Sequence, residues 1–463
     1  MSNAVWVAEK VNKDVVYSAE CFDQKPLDSN TQLVVEYSVM ALEAKYMVSM
    51  APGDWHDTSR YIDGTISIIS GCLAIGAFAF PPAAPVLAAI AAVGSAIKFI
   101  MKLIPDNRPN PVIVKYKALE QAINELGKQM DVHFADMQNF LTEHNFAVNI
   151  TTQASTLMRF MRDCLKYQDE GDVENFKEEY EKNSPLSTIY QLRSFLENKT
   201  TNPLIMAMAA EKVKTKTTFN KWRNIILGII GEYVFIETFA SGLFEKDDFN
   251  SKQIAKQYEE IEEILKSWEN GYKDDQEYWT DLKSDFEKYF EKSTHLNNIQ
   301  KGEELKKRID NYLTHDAFYI VVMNETTWEK DYAYYCPNEK DQLIGSWRKG
   351  KCNAFVYRSR KGSRLNSDAY SAIRQQSRNC EDTLRWNNGL KNILKDQLAN
   401  KSMVSNCGFY CLLGTQHCDP QIYYLNAPGT GWQTKGPGSL EKILLRDKSG
   451  TPKAEFSFIV AFS

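Results

Sequence analysis

The chain has 463 residues but only six histidines: His56, His133, His144, His295, His315 and His417. None stands at zinc-protease spacing, and no HExxH occurs. Cys407, Cys411, His417 and Cys418 follow a C-x3-C-x5-H-C pattern, which is not a standard zinc arrangement. No nucleophile elbow and no dinucleotide fingerprint is present. The glycine-rich stretch "GTGWQTKGPG" (429–438) lacks a closing Gly-Lys-Ser/Thr, so it fails as a phosphate loop and reads as a flexible loop exposing Trp432. These absences argue against an enzyme and predict no cofactor and no metal. The opening "MSNAVWVAEKVNKDVVYSAE" has no apolar core of a signal peptide. No fixed-period repeat and no long low-complexity linker occurs.

Charge is missing over one long stretch. Between Asp63 and Lys98 no side chain is charged. Two apolar arms, 64–80 and 85–104, flank a turn at Pro81, Pro82 and Pro85. As a helix the second arm reaches about 30 Å, the thickness of a bilayer core. Ala84, Ala88, Ala92 and Ala96 give it a small-residue face that suits close helix packing in protein or in lipid. Three placements fit: the buried hairpin of a soluble bundle, a permanent anchor, or a stored hairpin released into a membrane. The third is the expectation, because of arm length, proline turn and long amphipathic neighbours. Its inserting side chains would be Ile66, Ile68, Ile69, Leu73, Ile75, Phe78, Phe80, Val86, Leu87, Ile90, Val93 and Ile97.

The neighbours follow a helical beat. Val112, Tyr116, Leu119, Ile123, Leu126, Met130, Phe134, Met137 and Leu141 form one stripe, which predicts a helix over 112–148. His133 and His144 share a face of it, as plain surface or interface histidines or as a pH switch. A second stripe runs from Ile254 to Tyr289, with a polar slip at Asp275. Shorter helices are predicted near 151–168, 172–183, 186–198 and 203–245, with breaks at Asn183-Ser184-Pro185 and Thr201-Asn202-Pro203. The apolar run 225–244 belongs at the centre of the bundle despite Glu232 and Glu237.

After residue 315 the texture changes. "FYIVVMN", "YAYYC", "NAFVYRS", "GFYCLLGT", "QIYYLN" and "AEFSFIVAF" read as strands, with a helical stretch near 367–398. Net charge turns from −11 over residues 1–315 to +6 over residues 316–463. Six of the nine cysteines lie there: Cys336, Cys352, Cys380, Cys407, Cys411 and Cys418. An even cluster fits disulfides in a secreted protein. A basic run carries Arg348, Lys349, Lys351, Arg358, Arg360, Lys361 and Arg364 among aromatic residues. It is either a solvated hairpin face or, with Trp432, a surface for anionic lipid or glycan; nucleic acid is not expected.

The expected fold is therefore α+β and multidomain. Residues 1–315 would form an elongated helical bundle with a buried apolar hairpin, and residues 316–463 a cationic, cysteine-rich, β-rich recognition domain. This layout, with the stretch "ALEQAINELGKQMDVHFADMQNFLTEHNF", resembles the pore-forming cytolysins of box jellyfish and, through them, the helical domain of insecticidal crystal toxins. The stretch "NSPLSTIYQLRSFLENKTTNPLIMAMAAEKVKTKTTFNKWRNIILGIIGEYVFIETFASGLF" is similar in texture to nematode proteins of comparable size. The resemblance implies membrane permeabilisation by a homo-oligomer acting on target lipids or surface glycans. The rival expectation is a soluble structural or interaction protein whose long helices self-associate.

Overall fold

Helices begin here where a short polar side chain can replace a missing carbonyl. Asn202 accepts from the backbone N–H of Leu204 and Ile205 at 3.0 and 3.1 Å, with Pro203 next in the chain. Ser184 accepts from Ser187 ahead of Pro185, and Asp169 from Asp172. Each side chain satisfies an amide that the first helical turn leaves bare, and proline at the first position has no amide to lose. The two predicted breaks are therefore helix starts.

The computed structural model describes residues 5–11, 14–20, 62–63, 66–67, 69–70, 73, 94, 97–98, 110–138, 146–244, 249–274, 278–324, 332–336, 342–349, 352–360, 390, 407–414, 418–425, 436–446, 449 and 451–462. Its order is a hairpin of β1 (Val5–Val11) and β2 (Asp14–Glu20), then α1 (Asn110–Gln138), a π-turn (Ala147–Thr151), α2 (Thr152–Tyr167), α3 (Glu170–Lys182), α4 (Pro185–Glu197), α5 (Pro203–Ala210), α6 (Lys216–Phe244), α7 (Phe249–Lys273), α8 (Tyr278–Lys292) and α9 (Asn298–Asp310). Strands β3 (Ala317–Asn324), β4 (Tyr332–Tyr335), β5 (Leu343–Lys349), β6 (Cys352–Ser359), β7 (Cys407–Gly414), β8 (Gln421–Leu425), β9 (Gly438–Arg446) and β10 (Pro452–Phe462) follow. The fold is α+β, with helices in the N-terminal part and antiparallel sheets at the C-terminal end.

Contacts divide the chain into one unit of Met1–Thr201 with Asn224–Glu262 and another of Asn202–Arg223 with Glu263–Ser463. The expected single cut at residue 315 is not where the packing divides. Helices α8 and α9 belong with the sheets, because Leu282, Phe286, Leu305 and Ile309 pack on Phe318, Ile320, Val322 and Val356 of β3 and β6.

In that second unit the strands alternate with period two. The sheet β5-β6-β3-β8 turns Phe318, Ile320, Val322, Ala354 and Val356 toward the helices. It turns Tyr319, Val321, Met323, Phe355 and Tyr357 toward the sheet β4-β7-β10-β9, where Phe409, Cys411, Leu413, Ile459 and Ala461 meet them. A sheet covered on both faces needs strands apolar at every position, and "AFYIVVM" is buried throughout. The close packing requires glycine: a Cβ on Gly302 would lie 1.9 Å from the Tyr423 ring, and one on Gly408 1.8 Å from the Tyr357 hydroxyl.

The predicted helix 203–245 is two helices. Between them Leu313 N donates to the Lys214 carbonyl and Lys216 N to that of Asn311, a short bridge that stops the helix. Lys214 Nζ caps the end of α5 through the carbonyls of Met208 and Glu211, at 2.6 and 2.5 Å. The stripe from Ile254 likewise splits into α7 and α8 around its polar slip.

Two buried cations differ in their surroundings. Arg358 and Asp316 form an ion pair at 3.4 Å, with side chains 0% and 3% exposed. Lys301 is 1% exposed, and its Nζ makes no hydrogen bond among the described residues. Asp316→Ala should therefore cost about 3–5 kcal/mol in urea unfolding, since it strands a buried guanidinium. Lys301→Met should raise the thermal midpoint, because an ammonium whose desolvation nothing offsets costs on the order of 1 kcal/mol or more.

Candidate functional site

Seventeen consecutive residues of α6, 225–241, are buried. Their apolar members, from Ile225 to Ala240, make this the helix apolar all round that the sequence places at a core. Among the described residues it is the one helix long and apolar enough to cross a membrane, and 89% of its apolar window is buried.

Several polar groups in and around it are satisfied locally. The Tyr180 hydroxyl donates to both carboxylate oxygens of Glu237, 2.8 Å each. The Tyr233 hydroxyl donates to the Ile150 carbonyl at 2.9 Å, meeting the π-turn where backbone pairing is irregular. Thr238 and Ser241 return their hydroxyls to the helix's own carbonyls of Val234 and Thr238. Phe176 packs edge-on to Phe239 at 5.5 Å and stacks on Phe244 at 5.8 Å.

The apolar segment meets this helix at a glycine. A Cβ on Gly94 would lie 2.2 Å from the Phe239 carbonyl oxygen and 2.9 Å from the Leu243 nitrogen. Gly94 and Ile97 are buried, and Lys98 is half-buried. Backbone contact this close excludes any other residue at position 94 without a shift.

The first arm is not uniformly apolar. Ile62, Ile66, Ile69 and Leu73 recur at helical spacing; Ile62 and Ile69 are buried, Ile66 and Leu73 half-buried. Asp63, Ser67 and Ser70 are exposed. Ser67 Oγ donates to the Asp63 carbonyl at 3.0 Å, and Asp63 pairs with Lys115 of α1. The described part of this arm is thus amphipathic. Ile68, Ile75, Phe78, Phe80, Val86, Leu87, Ile90 and Val93 lie outside the described residues, as do His144 and the stretch 139–145. Within α1, Leu119, Ile123, Leu126 and Met130 are buried as the stripe predicts.

The described residues of the basic run lie mostly on the antiparallel strands β5 and β6, with Lys349 opposite Cys352. Arg358 is no surface cation: β6 is a central strand, and Asp316, just before β3, holds the guanidinium in the core. Arg360 is half-buried. Arg348 and Lys349 fall on β5, while Lys351, Lys361, Arg364 and Trp432 lie outside the described residues. The glycine-rich stretch ends buried, with Gly436 at φ +69° against Tyr424.

The disulfide expectation is corrected for three cysteines. Cys336, Cys411 and Cys418 carry thiols. Cys411 and Cys418 are fully buried between the two sheets, where cysteine serves as a small apolar residue, and Cys336 packs against the same cluster. Cys352 and Cys407 fall at strand ends, and Cys380 lies outside the described residues. Among the described residues no group of three or more His, Cys, Asp or Glu side chains is placed to hold a metal.

The chain belongs to the family described as "Protein of unknown function (DUF684)", whose profile matches residues 114–451. No curated protein and no solved structure matches it at a significant level.

Burial sets a pH limit on the cores of both units. It pushes the Tyr180 and Tyr233 hydroxyls far above the ordinary tyrosine value, aided at Tyr180 by the Glu237 charge. It raises the Cys164 thiol, helped by Asp172, and the Cys411 thiol. Each group holds its proton more tightly folded than unfolded. Its stabilising contribution is full below the unfolded value and is lost as pH rises toward the folded one. Urea midpoints should therefore fall from about pH 8.5 as thiols ionise in the unfolded chain, and more steeply above about pH 10 as tyrosines follow. Tyrosinate absorbance from the buried set should appear together with unfolding rather than before it.

Proposed function

We propose that this protein disrupts membranes: it stores the apolar helical hairpin at 64–104 within a helical bundle and inserts it into a target bilayer as copies assemble. The observation that carries this reading is the seat of Gly94 on the backbone of Phe239 and Leu243. Helices that meet through a small residue gain contact by close approach, a mode of packing that works in lipid as well as in a protein interior. The second arm is long enough to span, and every backbone group of a spanning helix stays paired within itself.

The energetics favour a reversible store. Burying an arm in protein or in lipid removes the same apolar surface from water, so the hydrophobic term nearly cancels between the two states. What separates them is packing and polar contact. The exposed Asp63–Lys115 pair contributes about 0–1 kcal/mol and is a weak outer latch. Assembly would use α1, where Val114 and Val132 are 67% and 62% exposed and stand five helical turns apart on one face. The same exposed valines support the rival reading, a non-lytic interaction protein that self-associates through α1.

Dye release from liposomes separates the two. Gly94→Ala forces the arm off α6, costing about 1–3 kcal/mol of stability, and should increase leakage per molecule over the wild-type chain. A bismaleimide bridge in the Asp63→Cys/Lys115→Cys variant should suppress it. Absence of leakage from both wild-type and Gly94→Ala protein, over neutral and anionic lipids and acidic and neutral pH, would leave the scaffold reading.

A further inference from the structure

Helices α8 and α9 run back along each other through a short turn, 293–297, fixed by the capping box of Asn297 and Gln300. Between them lies a cavity of about 300 Å³ within the second unit. Its wall on α8 is Asp285, Lys288, Tyr289 and Lys292, which share one face at helical spacing. Arg308 and Glu304 supply the α9 wall.

The donors in this cavity are arranged in a way that packing does not require. Arg308 is fixed on two sides: one nitrogen pairs with Asp285 at 3.2 Å, and its plane lies 4.7 Å from the centre of the Tyr289 ring. A guanidinium so held has N–H groups left over in a set orientation. Lys288 and Lys292 stand one turn apart and make no ion pair among the described residues. Two like charges at that spacing oppose the helix. The helix's negative end accounts for Lys292, in the last turn, but not for Lys288. Ser293, 3% exposed, closes the end of the cavity, where its Oγ faces the Tyr289 hydroxyl without a hydrogen bond of good geometry.

We infer that this cavity binds a phosphate monoester, with the phosphate held by Lys288, Lys292, Arg308 and the Ser293 hydroxyl. Two ammoniums with no ion pair among the described residues match the two negative charges of such a group, and the Arg308 edge matches two of its oxygens. The organic part lies against Tyr289 and Leu296, the apolar surfaces of the cavity. A phosphate alone would not fill this volume. The inference does not depend on membrane disruption.

Calorimetry of the full chain at low salt tests it with two probes: glycerol 3-phosphate in solution, and phosphatidylcholine vesicles containing phosphatidic acid. Binding of the soluble ester identifies a free metabolite-like ligand, and binding of the vesicles alone identifies a lipid headgroup. In either case Lys288→Gln/Lys292→Gln should weaken binding by about tenfold or more, since charge-assisted hydrogen bonds are lost. Both lysines are exposed, so circular dichroism and the thermal midpoint should match the wild type. Failure to bind either probe overturns the inference. Binding left unchanged by both the double lysine variant and Arg308→Gln, the mark of diffuse surface charge, overturns it too.

Discussion

The described core of the first unit is organised around burying one helix on all sides. A helix sheathed over seventeen residues needs partners around its whole circumference, and each must fit a surface with little relief. Gly94 fits by having no side chain, Phe176 by edge and face contact with two rings, Tyr233 by reaching the Ile150 carbonyl in the π-turn. Burial on this scale also fixes the chemistry of what lies inside. Glu237 can be there because the Tyr180 hydroxyl comes with it.

Much of this was legible in the sequence, for identifiable reasons. The helix starts at Ser184-Pro185 and Asn202-Pro203 are local chemistry, so a few residues suffice to see them. The six strands read from aromatic and β-branched runs are those whose neighbours cover them on both faces or one. Strands β5 and β9 escaped. "LIGSWRK" carries a glycine and two cations, and "LEKILL" has a spacing of apolar residues that suits a helix as well. The hairpin β1–β2 escaped because the following three hundred residues read as helical. The break between α5 and α6 is tertiary: the bridge that makes it comes from residues about a hundred positions later.

Charges were harder to place from the sequence than apolar runs. An apolar stretch without charge announces itself, but the amphipathic character of its first arm depends on which face Ser67 and Ser70 occupy. Arg358 sits in a basic run and looks like its neighbours. Only the antiparallel register, which sets Phe318 opposite Arg358 and so brings Asp316 near, shows that it is interior. Lys301 is the converse case, a cation on a helix of alternating charge that the sheet covers. The cavity between α8 and α9 had no sequence signal at all, since Lys288, Lys292 and Arg308 are ordinary surface residues until two helices are folded together.

The two apolar segments of the first unit are not equivalent, and the difference bears on which of them the proposed function would move. Helix α6 has the length and hydropathy of a spanning helix, yet it carries Glu232 and Glu237 near its middle. A carboxylate at that depth in a bilayer is expensive unless its partner travels with it, and Tyr180 belongs to another helix. The segment from Gly64 to Ile97 has no ionisable acid or base except the thiol of Cys72. Under the proposed function its departure from α6 would expose no charge to lipid, whereas α6 could not follow without dismantling the Tyr180–Glu237 contact. Two carboxylates thus distinguish α6 from the segment seated on it at Gly94, and the glycine makes their contact close without making it polar.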